Sequence, residues 1–330
     1  MERVVRGVAL YSGGLDSILS IKLILDLGAH VEALIFKTPF FGAKINDNIS
    51  LLKDYNHLRY RKIDITRKFV KILASPKYGY GKNLNPCIDC RILMLREAKS
   101  YMEKIGADFV FTGEVLGQRP MSQRRDLMRI SEKESGLEGV LLRPLSAKLL
   151  NPTKVEDAGL IDREKLLDLK GRSRKRQIDM AKDLNWNDFP TPGGGCLLTD
   201  KAFANKLKPF LDKGITDTDI LKWLRIGRHF ILPCGTSIVV GRNHIENTAI
   251  LDMAGKDETL IKTVTVPGPV AIILGQPSEE TVRFAASLMA GYSDFKGPGK
   301  VDVALGKGGD FIKEIKVYPL ARKDSEVYRI

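Results

Sequence analysis

No apolar run in this 330-residue chain approaches the ~20 residues that a membrane helix needs; the longest, such as VAIILG near residue 270, are far shorter. The N-terminus, MERVVRGVALYSGG, lacks the long apolar stretch of a signal peptide and leads directly into a strand pattern. Integral membrane and secreted classes are thereby disfavoured, and a cytoplasmic location is expected. Cysteine is scarce: four residues cannot form a disulfide framework for a chain this long. There is no internal repeat, no low-complexity tract and no Walker A loop, since GxxxxGK followed by Ser or Thr does not occur.

What is present is a globular composition, 43% hydrophobic and 28% charged, which excludes an intrinsically disordered chain. Its length suits about two domains. The formal charge is +13, distributed as +10 over residues 1–199 and +3 over 200–330. A basic excess attracts polyanions, so nucleic acid and nucleotide phosphates are natural partners, while a merely basic, soluble surface is the plainer reading. The small charge of the second part gives it no independent claim on RNA.

The first 150 residues alternate strand and helix patterns. Residues 4–11, 31–37, 57–65, 107–113 and 139–145 read as strands, with helices over 16–28 and from Cys90 to Ile105. This alternation predicts an α/β fold, a parallel sheet with helices on both faces, whose ligands bind beyond the carboxyl ends of the strands. Residues 171–184 form a basic helix candidate, and NDFPTPGGGC (187–196) is a loop. Two short helices over 200–226 and six short strand patterns after 229, with helices near 243–254 and 278–290, predict a smaller α+β domain. The expected division is 1–205 and 206–330.

Ser12-Gly13-Gly14-Leu15-Asp16-Ser17 lies between a buried strand and a helix. Two glycines let backbone amides approach an anion, and the helix N-terminus adds exposed N–H groups and a favourable dipole. Ser12 and Ser17 add hydroxyl donors. Asp16 would repel phosphate, so it suits Mg²⁺ or a loop-fixing role. An ordinary strand–turn–helix with a capping residue is the plain alternative. A second polar loop, Thr112-Gly113-Glu114-Val115-Leu116-Gly117-Gln118, ends a later strand of the same sheet. Gly113 allows close backbone approach to a nucleotide, and Glu114 and Gln118 offer polar contacts; a capping loop is again the alternative.

SGGLDS after the first strand resembles the SGGxDS signature of the PP-loop ATP pyrophosphatases, adenine nucleotide alpha-hydrolase-like enzymes that cleave ATP to AMP and pyrophosphate while adenylating a carbonyl oxygen. The resemblance implies that Ser12, Gly13, Gly14, Asp16 and Ser17 hold the pyrophosphate end of ATP, with adenine near Ile35 and Phe36. TGEVLGQ followed by Ser122-Gln123, and then Leu142-Arg143-Pro144-Leu145, looks like the tRNA 4-thiouridine synthetases, over roughly residues 4–200. The sequence departs from them in two ways. The RNA-binding domain that usually precedes the catalytic domain is not seen before the loop at residue 12, and no rhodanese-like extension follows. Instead, residues 229–330 loosely resemble the RNA-binding module of the ribosome quality-control fibronectin-binding-like proteins; a dimerisation or purely structural domain is the alternative.

Asn85-Pro86-Cys87-Ile88-Asp89-Cys90 places a CxxC at a helix entry, and Cys196 follows three glycines. Three readings compete. Cys87, Cys90 and Cys196 bind three irons of a 4Fe–4S cluster and leave the fourth open to sulfide, as in sulfur-transferring relatives. Two of them act as persulfide carrier and resolving thiol. Zn²⁺ takes them with Cys234, which the absence of a second CxxC and the apolar surroundings of Cys234 disfavour. Cys234 itself reads as a small buried apolar residue, its role open. Asp89 is an acid/base candidate, though a first-turn helix charge is its plainer role. Arg172, Arg174, Lys175 and Arg176, with Arg119, Arg124 and Arg125, are solvated charges or RNA phosphate contacts. The four histidines are assigned no metal.

The expectation is a tRNA sulfurtransferase, a thiouridine synthetase, that uses ATP and Mg²⁺ to adenylate C2 or C4 of a uridine before sulfur from sulfide or a persulfide-carrying protein replaces the oxygen. Which uridine and which carbon remain open, as does a homodimer. A PP-loop enzyme that thiolates or amidates a small molecule and a non-catalytic RNA-binding protein are the competing readings.

Overall fold

The computed structural model describes residues 3–41, 47–186, 196–214 and 221–330, and the account below is confined to them. The chain divides into two compact units, Met1–Ala204 and Asn205–Ile330.

The first unit is built on five parallel strands: β1 (Arg6–Leu10), β2 (His30–Lys37), β3 (Leu58–Asp64), β4 (Phe109–Thr112) and β5 (Leu141–Leu142). Every residue of β4 and all but the first of β1 are buried, which requires cover on both faces of the sheet. Helix α1 (Leu15–Asp26) supplies Leu15, Ile18, Leu19, Ile21 and Ile24 to a core shared with Ala9, Val31, Ala33 and Phe111. Each such side chain, fully withdrawn from water, contributes roughly 1.5–3 kcal/mol. The unit continues with α2 (Thr66–Ala74), α3 (Cys87–Ile105), α4 (Arg125–Ser135), the short α5 (Lys154–Asp157) and α6 (Lys175–Asp183). The predicted α/β class holds, with local differences. Helix α3 begins at Cys87, because Pro86 stands at its N-cap and its carbonyl accepts from Cys90 N–H. The fifth strand shrinks to two residues ahead of Pro144, which has no ladder donor.

The strand order is β3-β2-β1-β4-β5. The chain therefore builds outward from β1 in one direction and then returns to add β4 on its other side. In parallel sheets of this kind the loops that leave the strands on either side of such a reversal, here β1 and β4, are the usual place for a ligand.

Helix α7 (Lys201–Asp212) contains the division between units. The second unit is a six-stranded antiparallel sheet, order β11-β10-β8-β9-β7-β6, of β6 (Arg228–Ile231), β7 (Ser237–Val240), β8 (Thr259–Thr263), β9 (Val270–Leu274), β10 (Val301–Lys307) and β11 (Asp310–Val317). Alternation along the strands divides its core. Ile238, Val240, Ala271 and Ile273 face α9 (Glu279–Ala290), whereas Val239, Val270 and Ile272 pack with Trp223 and Ile250 of α8 (His244–Met253). Asn243 and Ser278 cap α8 and α9 by accepting the N–H of Glu246 and Thr281. The chain ends with α10 (Arg322–Ser325) and a 3-10 turn over Glu326–Tyr328. No helix among the described residues is long and apolar enough to cross a membrane.

Candidate active site

The two loops singled out in the sequence are the ones that leave β1 and β4, where the strand order reverses. Gly13 turns with φ +79°, and Gly14 in extended conformation stands at the N-cap of α1, with no side chain capping the helix. The α1 N-terminus thus keeps its dipole end for a ligand. Ser17, nearly buried, donates its hydroxyl to the Gly14 carbonyl at 2.7 Å, and its Oγ accepts weakly from Ser12 N–H at 3.4 Å.

The second loop is locked onto the first. Gln118 Nε2 donates to Asp16 Oδ2 at 2.6 Å, and Gln118 Oε1 accepts from Gln177 Nε2 at 2.9 Å. Gln177 lies on α6 and is buried. The other carboxylate oxygen, Asp16 Oδ1, is buried without a hydrogen-bond partner and lies 3.6 Å from Arg174 Nη2. Asp16 therefore has a fixed orientation, and its Oδ1, ion-paired with Arg174 but without a hydrogen bond, is the oxygen that a divalent cation carried by nucleotide phosphates would compete for.

Arg174 consequently stands apart from the rest of its basic run. Its side chain is only 12% exposed and faces the loop, while Arg172, Lys175 and Arg176 are exposed, Arg176 pairing with Asp168 at 2.8 Å. Arg119, Arg124 and Arg125 are exposed too; Arg124 pairs with Asp126 and Arg125 donates to the Leu149 carbonyl. Ile35 and Phe36 are core residues, 3% and 5% exposed, so their side chains support the end of β2 instead of lining an open cleft.

Glu114 is the centre of a buried ion network that the sequence reading saw only in pieces. Its Oε1 lies 3.1 Å from Arg91 Nε and its Oε2 3.2 Å from Arg143 Nε, and Thr112 Oγ1 donates to Oε2 at 3.1 Å. Arg143 also pairs with Glu132 at 2.8 Å and donates to the Met128 carbonyl. Burial alone would raise the Glu114 pKa; the two guanidiniums and the hydrogen bonds outweigh it and hold the carboxyl below its ordinary value. Arg91 was missed, although its place directly after the CxxC is a signal.

Cys87 and Cys90 occupy the first turn of α3. Cys196 stands at the N-cap of the 3-10 turn Leu197–Thr199, which is tied to the segment leading into α3 by Leu84 N–H on the Leu198 carbonyl at 3.2 Å and by Asn83 Nδ2 on the Thr199 carbonyl at 2.7 Å. Burial dominates at all three thiols. It raises the Cys87 thiol despite Arg91, Arg119 and an Asn85 hydrogen bond, raises Cys90 strongly, and pushes Cys196 up to about 11. Burial of this kind keeps a thiol protonated until a positively charged partner is bound beside it. The donor set, three desolvated thiols beside an arginine, fits a thiolate-bound iron–sulfur group. No three His, Cys, Asp or Glu side chains among the described residues are drawn together enough to hold a single metal ion. The glycine run before Cys196 lies outside the described residues.

Two readings need correction. Cys234 is not buried: it is exposed in the turn between β6 and β7, donating to Thr236 Oγ1 at 3.4 Å. The turn follows from Pro233 and from Gly235 at φ +87°. Asp89 is committed to structure, since its two oxygens accept the backbone N–H groups of Lys77 and Tyr78, each at 3.0 Å.

Residues 4–148 match the family model described as thiamine biosynthesis protein (ThiI), and residues 227–329 match the one described as NFACT protein RNA binding domain. The chain joins a ThiI-type PP-loop domain to an NFACT-type domain. Comparison with curated protein sequences gave no match. Among solved structures, the C-terminal part of the fibronectin/fibrinogen-binding protein from Streptococcus suis is 16% identical, with 80% of this chain and 98% of that one covered and a TM-score of 0.28. A 4-thiouridine synthetase–RNA complex with bound ATP is 21% identical over 66% of this chain and 52% of its own, TM-score 0.41. A predicted tRNA methyltransferase subunit from Methanocaldococcus jannaschii is 16% identical over 42% and 68%, TM-score 0.31. The chain thus spans about half of that 4-thiouridine synthetase.

Proposed function

We propose that this ThiI-type chain is an ATP-dependent tRNA sulfurtransferase, with its catalytic part in residues 1–205 and an RNA-gripping part in 206–330, acting in the cytoplasm. The observation that carries the reading is the lock of Gln118 onto Asp16, beyond the carboxyl ends of β1 and β4. It builds one anion site from the two loops whose residues resemble a thiouridine synthetase.

In this reading the Gly13–Gly14 backbone and the free end of α1 bind the β- and γ-phosphates, with Ser12 and Ser17 as hydroxyl donors. Asp16 Oδ1 would hold Mg²⁺. The uridine carbonyl oxygen attacks the α-phosphorus, the bridging P–O bond breaks, and pyrophosphate leaves. Sulfide then attacks the activated carbon, and the C–O bond breaks with departure of AMP. Where a cysteine persulfide attacks instead, a second cysteine thiolate then attacks the carrier cysteine's sulfur, the S–S bond breaks, and thiouridine leaves as a disulfide forms between the two cysteines. The loops hold uridine and ATP in attack geometry and shield the adenylate from water. Cys87, Cys90 and Cys196 would hold a 4Fe–4S cluster, which when bound supplies an open iron for sulfide. The chain's own part is to keep three thiols desolvated beside Arg91. Asp89 holds the loop that carries Lys77 and Tyr78, and takes no part in proton transfer.

The test is anaerobic purification with iron and sulfide assays, paired with nucleoside analysis of tRNA after incubation with ATP and sulfide. Roughly four irons per chain, lost in Cys87→Ala, Cys90→Ala and Cys196→Ala, together with ATP-dependent thiouridine, is the expected result. Iron-free protein that thiolates tRNA when a persulfide-carrying protein replaces sulfide, and not with sulfide alone, would move the chemistry to a cysteine persulfide. Pyrophosphate release with a small thiolated or amidated product and no effect of tRNA would overturn the RNA substrate.

A further inference from the structure

The second unit gathers four arginines that are far apart in sequence. Arg228 opens β6, Arg242 precedes α8, and Arg322 and Arg329 belong to the chain's last turns. The final residues bring the last two alongside β6: Phe230 bridges to Arg329, and Ile330 N–H donates to the His229 carbonyl. The charges of Arg329, Arg322 and Arg242 all bear on Arg228.

Carboxylates neutralise only two of the four. Glu246 binds Arg242 through Nε at 2.8 Å, and Glu326 binds Arg329 at 2.9 Å. Among the described residues, neither Arg228 nor Arg322 has a carboxylate within ion-pair distance. Both instead lie over the ring of Tyr292, with guanidinium carbons 5.0 and 5.4 Å from its centroid. The ring is fixed by Tyr292 OH on Ser325 Oγ at 2.9 Å and by its contact with Phe230. Each arginine gives one N–H to a backbone carbonyl, Arg228 to Gly241 and Arg322 to Gly291, and keeps the remaining N–H groups. Arg322 is exposed and Arg228 half-buried.

Like charges held this close repel, and among the described residues two of them have no carboxylate partner. An arrangement that fixes them on an aromatic ring with N–H groups to spare is suited to a bound anion, and the planar fork of arginine matches phosphate oxygens. We propose that Arg228 and Arg322, braced on Tyr292, form a phosphate clamp for the RNA backbone. The inference rests on the proposed RNA substrate and adds the site of grip. Tyr292 has its ring taken up by guanidiniums, so it is a brace and not a stacking platform. The clamp reads phosphate, not base, and so contributes affinity without sequence preference.

The test uses the full chain and unfractionated tRNA, with fluorescence anisotropy across a salt series. For Arg228→Gln/Arg322→Gln we expect about tenfold weaker binding and a log K against log salt slope shallower by roughly two. Arg322→Glu, a change at an exposed position, should weaken binding on its own, and Arg329→Gln, whose charge is already paired, should do so least. Thermal melts verify folding, and ATP turnover without RNA should be unchanged. Unaltered affinity and slope in both Arg322 variants would overturn the clamp, as would a wild-type chain that binds no tRNA. Thiouridine formation by the same preparations separates the two ideas. Clamp variants that lose binding while the wild type makes no thiouridine leave the clamp standing and remove the proposed reaction.

Discussion

Gly113 lies against the backbone of Asp16: a Cβ on Gly113 would stand 2.5 Å from the Asp16 carbonyl oxygen and 2.6 Å from the Ser17 nitrogen. The end of β4 and the first turn of α1 are therefore in backbone contact, and no side chain fits between them. Gly113→Ala must push the two loops apart at the proposed phosphate site. Relieving such overpacking costs about 1–3 kcal/mol. The expected outcome is a melting temperature lowered by several degrees and an ATP affinity reduced more than tenfold. Calorimetric ATP titration checks this; an unchanged affinity would mean that nucleotide does not bind at this contact.

The Asp16–Gln118–Gln177 chain predicts a different phenotype. Gln118→Leu keeps the side-chain volume but removes the donor that fixes Asp16 Oδ2. Stability should fall by about 1–3 kcal/mol, since the buried Gln177 amide loses its acceptor, while pyrophosphate release from the folded protein falls about 10–100-fold because Asp16 is no longer held in place. Arg174→Gln should raise the KM for ATP with little change in tRNA affinity, since Arg174 faces Asp16 and not solvent. If Arg174→Gln instead weakened tRNA binding and spared ATP, the arginine would belong to the RNA surface after all.

Glu114 ties the β4 loop to the CxxC helix through Arg91 and to β5 through Arg143. Breaking a buried pair from one side costs about 3–5 kcal/mol, because the partner charges stay behind. Glu114→Gln should thus be among the most destabilising substitutions of equal volume. Its pH signature follows from the sign of the shift. The folded pKa is depressed, so the carboxylate's stabilisation is full above the unfolded value and disappears as pH falls through the folded one. Urea melts of the wild type should lose stability below about pH 4.3. The Gln variant, already weaker at neutral pH, should show less of that acid loss.

Much of the first unit was legible because its signals are local. Glycine and serine at strand ends, alternation of strand and helix, and a CxxC after proline each lie within a few residues. The Glu114 network was not, since it joins residues 91, 114, 132 and 143, whose proximity exists only once β4, β5, α3 and α4 are packed. Arg174 could not be told from Lys175 or Arg176 without the direction of α6. Cys234 was misplaced for another reason: flanking apolar strands outweighed the Pro-Cys-Gly turn signal that decides its exposure. The arginine clamp escaped because net charge averages over a unit, whereas the clamp depends on which arginines lack a carboxylate.

His229 supplies a stability test confined to the second unit. Its ring is 2% exposed, with Nε2 2.8 Å from the Ile226 carbonyl. Burial, with Lys206 and Arg242 nearby, pushes its pKa down to about 4. The folded unit therefore holds the imidazole neutral, and Nε2 carries the proton donated to Ile226. The unfolded chain binds a proton near pH 6.5, so stability is full above that pH, falls as pH drops toward about 4, and levels off below. The difference amounts to about 3 kcal/mol at most. Trp223 is buried in this unit, so its fluorescence in a Trp186→Phe background reports the second unit alone. Denaturation midpoints should fall between pH 6.5 and 4 in that background. His229→Gln, which can still donate to Ile226, should flatten the dependence. A profile that stays level in the histidine protein would show that the ring is protonated in the fold, with a counter-charge other than those around it here.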